Sequence, residues 1–410
     1  MDIIIERCAG LDVHKQVIVG SVRVPGEQRK RTVDTRTFST MTEGLLELSD
    51  WLSSHGVTHV AMESTGVYWR PVYAILEHEF EVLLVNARHV KNVPGRKTDV
   101  RDSEWLAQLL ECGLLKGSFI PPQPIRDLRD LTRYRKTLIR ERGHHVNRVA
   151  KTLELANVKL GSVVTDIMGK TGRTIIEALI EGHVDPQYLA GLAQGTLKKK
   201  AEELRQSVIG ARMSPHYAFL LEQQLQVIDN LSQRIDQFDA RIEECMRPFD
   251  EAYQWALSMP GIAERAAQAI LAEIGTDMTR FPSAGHLASW ARICPSNNES
   301  AGKRRSSKTG KANSWLRATL NEAAWAAVKK KDSYYRALYQ RMKPRQGPKK
   351  AIGAVQHAML NALWHMLSRG VPHQDLGADY FAARNVARTT RHYIRRLEQL
   401  GCRVTVDQAA

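Results

Sequence analysis

Apolar and polar residues alternate from Ile3 to about Val24, with Ala9, Leu11 and Val13, then Val17 and Val19, on either side of His14-Lys15. A period of two predicts strands, so this stretch reads as two strands joined by a short turn. A third strand is expected over Arg31 to Phe38. The period then lengthens: Leu45, Leu46, Leu48 and Leu52 predict a helix from Thr42 to Ser54. Val57 to Met62 reads as a strand ending in Glu63, and Ser64-Thr65-Gly66 as a turn. Val67 to His78 follows as a helix and Glu81 to Val85 as a short buried strand. Thr98 is placed to cap a helix over Asp99 to Leu110, satisfying a free N–H of its first turn. The order β-β-β-α-β-α-β, then a helix, is that of a ribonuclease-H-like sheet, three antiparallel strands extended by parallel ones.

Pro121-Pro122-Gln123-Pro124 marks a boundary. Beyond it, Leu128, Leu131, Leu138, Val149 and Leu153 predict a helix from Ile125 to about Leu155. A mixed segment (161–196) precedes a second long helix beginning near Lys198, with Pro215 a break or a start within it. Ile228, Leu231, Ile235, Phe238, Ile242 and Cys245 are spaced 3, 4, 3, 4, 3. That heptad seam suggests a coiled coil or helical hairpin; an ordinary core-facing helix has the same pattern. Met259-Pro260-Gly261-Ile262-Ala263 between helical patterns resembles a helix-hairpin-helix, whose tight turn offers backbone N–H groups to a phosphate. Ala263 replaces the usual second glycine, and a plain turn between packed helices is the competing reading. The chain therefore divides into an α/β domain (1–120), a helical coiled-coil domain (121–247) and a mainly helical domain (248–410).

Composition narrows the partners. The 410 residues carry a formal charge of +15, which points to a polyanion. No run reaches the ~18 apolar residues of a spanning helix, and Glu6 and Arg7 interrupt the N-terminal apolar run too early for a signal peptide. Cys8, Cys112, Cys245, Cys294 and Cys402 are scattered, arguing for a reducing, cytoplasmic setting and against zinc. His144-His145, adjacent on a helix, make a poor chelate. Between Arg292 and Lys350, 16 Lys/Arg oppose only Glu299, Glu322 and Asp332, a net charge of +13. A solvated face mixes signs; this stretch does not, so contact with a phosphate backbone is the better reading. Lys303, Arg304, Arg305 and Lys308 are its densest part, and Tyr334, Tyr335 and Tyr339 add possible base stacking or core.

Four acids stand at element ends. Asp12 lies in the first hairpin, Glu63 ends a central strand where open α/β sheets bind ligands, and Asp99 and Asp102 begin a helix. Asp99, Asp102, Leu106 and Leu109 share one helical face, so two carboxylates head a stripe whose tail is core. First-turn acids complementing the helix dipole are the simpler account of Asp99 and Asp102. On a ribonuclease-H-like sheet, however, all four converge. Carboxylates ~5 Å apart repel by about 3 kcal/mol per pair at an effective dielectric near 20. Two Mg²⁺ ions would relieve that and keep positions open for phosphate.

Gly10-Leu11-Asp12, Met62-Glu63-Ser64-Thr65-Gly66, Lys97-Thr98-Asp99 with Asp102, and Asn298 to Arg304 behind the Pro-Gly-Ile turn are jointly specific. With them the chain resembles the DEDD transposases of bacterial insertion sequences, the IS110 family in its IS1111 branch. The resemblance implies a RuvC-like domain, a coiled-coil insertion and a C-terminal transposase domain with a serine nucleophile. It implies a recombinase guided by a structured non-coding RNA that pairs with donor and target DNA. It further implies Mg²⁺ on Asp12, Glu63, Asp99 and Asp102, attack by Ser300 to give a 5′-phosphoserine, and assembly as a dimer of dimers. Ser306 and Ser307 in the same loop are not excluded by spacing. No histidine neighbours Ser300, so activation would come from the metals. A RuvC-like nuclease that resolves junctions with water as nucleophile is the alternative, and an inactive nucleic-acid-binding regulator a third.

Overall fold

Two-residue periodicity at the start of the chain becomes three antiparallel strands, β1 (Cys8–Val13), β2 (Val17–Pro25) and β3 (Arg31–Ser39). The computed structural model describes residues 3–27, 30–63, 66–86, 102–294, 298–300, 303–306, 310, 313–383 and 386–405. The N-terminal part continues with α1 (Thr42–Ser54), β4 (His59–Glu63), α2 (Trp69–Leu76), β5 (Glu81–Val85) and α3 (Asp102–Glu111). Strand order is β3-β2-β1-β4-β5, with β1 parallel to β4 and β4 to β5. The mixed sheet of the α/β reading is therefore present.

Strand alternation sends successive residues to opposite faces of the sheet. Leu11, Ile18 and Met62 are buried on one face against Leu48 and Trp51 of α1 and Val72 and Leu76 of α2. Burying each such side chain contributes about 1.5–3 kcal/mol. The opposite face receives α3, whose Leu110 packs with Cys8 and Ala61.

The chain divides into two compact units, Met1–Ile120 and Pro121–Ala410. The second opens with α4 (Gln123–Leu155), followed after one short helix by α5 (Lys170–Ile180) and, after further short helices, by α6 (Pro215–Met246). Tyr134 stacks on Phe238 at 5.0 Å, Leu138 packs with Leu231 and Ile235, and Val149 and Leu153 pack with Leu221 and Leu225. Numbers rise on one helix as they fall on the other, so α4 and α6 form an antiparallel hairpin within one chain. The seam residues Ile228, Leu231, Ile235 and Ile242 are buried, while Phe238 and Cys245 are half-buried. The long helix starts at Pro215 and not near Lys198. Ser214 Oγ caps it by accepting from the Tyr217 N–H, proline suits its first turn, and Gly210 at φ +75° ends the short helix before it.

The remainder of the unit is α7 (Asp250–Leu257), α8 (Glu264–Ile274), α9 (Ala284–Trp290), the short hairpin β6 (Asn298–Ser300) and β7 (Lys303–Ser306), then α10 (Ser314–Ala327), α11 (Tyr334–Gln346), α12 (Pro348–Arg369) and α13 (Val386–Gln399). Tyr335 and Tyr339 are buried, and the Tyr335 hydroxyl is hydrogen-bonded to His373 Nε2 at 3.0 Å. These two rings are core and not a stacking platform. Among the described residues no helix is long and apolar enough to cross a membrane.

Candidate functional site

The geometry of the acids follows from strand register. Leu11 is the Cα partner of Met62 in the parallel pair β1–β4, so Asp12 and Glu63 come next on the two strands, at the same height. Leu11 and Met62 belong to the core face, so Asp12 and Glu63 share the other face, which α3 covers. Gly10 fixes how α3 lies there. A Cβ on Gly10 would sit 2.2 Å from the Ser103 carbonyl oxygen and 2.5 Å from the Ala107 nitrogen. Only glycine permits so close an approach of helix backbone to strand. The Ser103 hydroxyl is also 2.9 Å from that of Ser21, the strand partner of Gly10.

At its other end, α3 is held by Glu111. This buried carboxylate takes Arg23 Nε at 3.1 Å and pairs with Arg31 Nε at 2.6 Å. Cys8, on the same face, donates its thiol to the Ala107 carbonyl at 3.5 Å, and burial, then the Glu111 charge, push that thiol up to about 12. With Glu111 and Leu110 at the Cys8 end of β1 and Ser103 over Gly10, α3 runs antiparallel to β1. Its first residue, Asp102, therefore arrives at the Asp12 end of the strand. Asp12, Glu63 and Asp102 thus belong to one face at the carboxyl edge of the sheet, with Asp12 and Glu63 half-buried and Asp102 exposed.

The fourth acid, Asp99, lies outside the described residues, as do Lys97, Thr98, Ser64, Thr65 and Lys308. Among the described residues no group of three His, Cys, Asp or Glu side chains is clustered tightly enough to hold a metal. Asp12, Glu63 and Asp102 nonetheless offer only carboxylate oxygens, which suit a hard divalent ion. Sequence reasoning passed over His14, whose Nε2 lies 3.1 Å from Asp12 Oδ2. The two-residue offset from Asp12 was the available signal. It also passed over the Glu111–Arg23–Arg31 cluster, which carries no local pattern.

The C-terminal candidates sit in the second unit. Ser300 ends β6 and is in register with Lys303, the first residue of β7; Glu299 pairs with Arg304, and the ladder is irregular between Asn298 and Glu299. Arg305 continues β7. Beyond this hairpin in sequence, Asn313 caps α10 by accepting from the Trp315 and Leu316 N–H groups. Asn313 also donates to Glu273, a carboxylate only 2 % exposed. Glu273 is gripped by Arg133, with Nε at 2.7 Å and Nη2 at 2.9 Å from its two oxygens, while Arg129 donates to the Ala272 and Glu273 carbonyls that end α8. The segment bearing Ser300 is thus anchored at its C-terminal root by α4 and α8. Gly261 takes φ +85°, and a Cβ there would meet the Ala323 carbonyl oxygen at 2.2 Å. Glycine is therefore needed at position 261 for the close approach to α10.

Comparison with known proteins matches both regions. A model of DEDD transposases of IS110 covers residues 9–158, from β1 to beyond the end of α4. A model of the transposase IS116/IS110/IS902 family covers residues 253–340, from α7 into α11. Together they span more than half of the chain. The chain belongs to the IS110 transposase family. No curated protein matched the chain. As a member of this family the transposase is an enzyme of DNA transposition, and DNA is its substrate. Asp12, Glu63, Asp99 and Asp102 of the transposase fall within the first matched region, and Gly261 and Ser300 to Lys308 within the second.

Proposed function

We propose that this transposase is an RNA-guided, site-specific recombinase in which a RuvC-like acid site and Ser300 act together on one scissile phosphate. The observation that supports the acid half is the common sheet face of Asp12 and Glu63 with Asp102 arriving at its edge. Asp12, Glu63, Asp102 and Asp99 would hold Mg²⁺, two ions per site. Such ions would supply positive charge that offsets charge on the phosphate and makes a nearby hydroxyl easier to deprotonate. The Ser300 Oγ–P bond forms as the P–O3′ bond breaks. The hydroxyl proton is released, the leaving 3′ oxygen takes one up, and the product is a 5′-phosphoserine with a free 3′-OH. Conserving that phosphoester would permit strand exchange without an external energy source.

The net charge of +13 between Arg292 and Lys350 supports phosphate contact close in sequence to the nucleophile, with Lys303, Arg304, Arg305 and Lys308 nearest it. Sequence choice would fall to base pairing by the guide RNA, and the active species would be a dimer of dimers. The test is denaturing electrophoresis of the transposase after incubation with end-labelled target DNA, co-purified RNA and Mg²⁺. The expected result is a protein–DNA adduct that vanishes with Ser300→Ala, with Asp102→Asn and with chelation of Mg²⁺. Continued cutting by Ser300→Ala would replace this mechanism with water-dependent hydrolysis by the acids alone.

A further inference from the structure

The second unit contains a groove of about 1720 Å³ between α11 and α12 that neither the acid face nor the Ser300 hairpin uses. Its lining divides by depth. Leu338, Met342, Gly353, Ala354, Ala358 and Ala362 are half-buried and form an apolar floor. Arg317, Arg345, Lys349, Lys350 and Arg369 are exposed and form the rim. No Asp or Glu is among the described residues that line it. The floor is low because four positions of α12 on this side are glycine or alanine; around Gly353 a Cβ would meet nothing within 4 Å. Two polar groups stand among these small residues. Asn361 presents Nδ2 3.5 Å from His357 Nδ1, and its Oδ1 is buried without a hydrogen-bond partner. Burial holds the His357 imidazole below its ordinary value, so it stays neutral and keeps one donor and one acceptor.

We propose that this groove takes a single strand of nucleic acid, with phosphates on the cationic rim and an unpaired base against the His357–Asn361 floor. An acid-free cationic rim is complementary to a polyanion, and an apolar floor bearing an amide and an imidazole suits the face and edge of a base. A duplex leaves the floor unused, because its bases are stacked inside and its phosphates lie on a convex surface. The inference rests on the nucleic-acid chemistry proposed above and adds the place where an unpaired strand is held. Whether that strand is DNA or RNA is decided by the experiment, since both offer the same phosphates and bases.

The test uses the full chain and three dye-labelled probes: an oligo-dT strand, its oligo-U counterpart and a DNA duplex of equal length, read by fluorescence anisotropy. Gly353→Leu fills the groove without touching a charge and replaces glycine in a helix, which favours folding. It is expected to weaken strand binding at least tenfold for DNA, RNA or both, and to leave duplex binding unchanged. Lys349→Ala with Lys350→Ala is expected to lower the salt slope of strand binding by ~0.7 per lysine. Asn361→Ala should weaken the strand and not the duplex. Equal loss of strand and duplex in Gly353→Leu, or no loss of strand binding, overturns the assignment. Displacement of the strand by polyglutamate at equal charge concentration also overturns it, marking the groove as a site for acidic protein. Asp12→Asn, measured alongside, should abolish cutting and keep strand binding. Cutting that survives Asp12→Asn counts against the proposed function, while the strand-binding results judge the groove.

Discussion

Replacing Gly10 with alanine is the sharpest single perturbation of the acid face. The added methyl carbon would lie 2.2 Å from the Ser103 carbonyl oxygen, whereas ordinary contact begins near 3.4 Å, so α3 must retreat by about 1.2 Å. The obstacle is helix backbone and not the tip of a flexible side chain. Relaxation therefore means moving a helix whose Leu106, Leu109 and Leu110 are all within 2 % of full burial. Overpacking of this kind costs about 1–3 kcal/mol, and the backbone clash places Gly10→Ala at the upper end. Function should suffer further, because the retreat carries Asp102 away from Asp12 and Glu63. A misplacement near 1 Å in a catalytic constellation costs about a hundredfold in rate. Urea denaturation followed by circular dichroism, together with Mg²⁺-dependent cutting of labelled target DNA, measures both effects. Gly143→Ala is the control: inside α4, with nothing within 4 Å of its Cβ, it should stabilise by about 0.5–1 kcal/mol. Native stability in Gly10→Ala would refute the seating of α3 on β1. Lost stability with full cutting would refute the link between that seating and the acids.

Glu273→Gln removes the charge that Arg133 and Arg129 face in a buried setting and should cost about 3 kcal/mol in chemical denaturation of the full chain. It should also slow the adduct formation proposed for Ser300, since one amide oxygen must then serve the Arg133 and Asn313 donors that two carboxylate oxygens accept. Native Cys8 should resist a thiol-reactive disulfide reagent at neutral pH, its pKa being raised to about 12, while exposed Cys402 reacts at once; mass mapping of labelled peptides checks this. Burial lowers the His357 and His373 pKa values from 6.5. The unfolded chain then binds protons first as pH falls, so stability is full above about pH 6.5 and declines below it. Melting temperature against pH should fall on the acid side, and more shallowly in the His357→Gln/His373→Gln double variant.

Much of the first unit was legible because each strand and helix carries its own period. Glu81–Val85 and Thr42–Ser54 have the limits their apolar spacing implies. Asp12 and Glu63 share one edge because register follows from alternation, once β1 and β4 are neighbours. What escaped was contact between distant positions of like or opposite charge. Glu111 reads as the polar end of a helix, yet it is buried by Arg23 and Arg31 from strands some eighty residues earlier. Glu273 likewise looks like a solvated residue of α8 until Arg133 and Asn313 close on it. Glycine at position 10 could be read as a motif letter, but the reason for it, a helix backbone almost touching the strand, exists only in three dimensions. The tyrosines at 335 and 339 show the reverse failure, in which a pattern shared by core and by stacking surfaces was resolved only by burial.

The paired helices α4 and α6 hold 33 and 32 residues, which at 1.5 Å per residue makes a rod of about 50 Å. One end is riveted to α8 by Arg135 with Gln268 and by Asp239 with Arg265; the other carries a separate apolar cluster built from residues between Val149 and Ile228. A stiff spacer of this length spans roughly fifteen base pairs of duplex. Whatever docks at the far tip is therefore kept at a set distance from the serine-bearing end of the unit. Lengthening or shortening the rod by one heptad would move that distance by about 10 Å while preserving the seam.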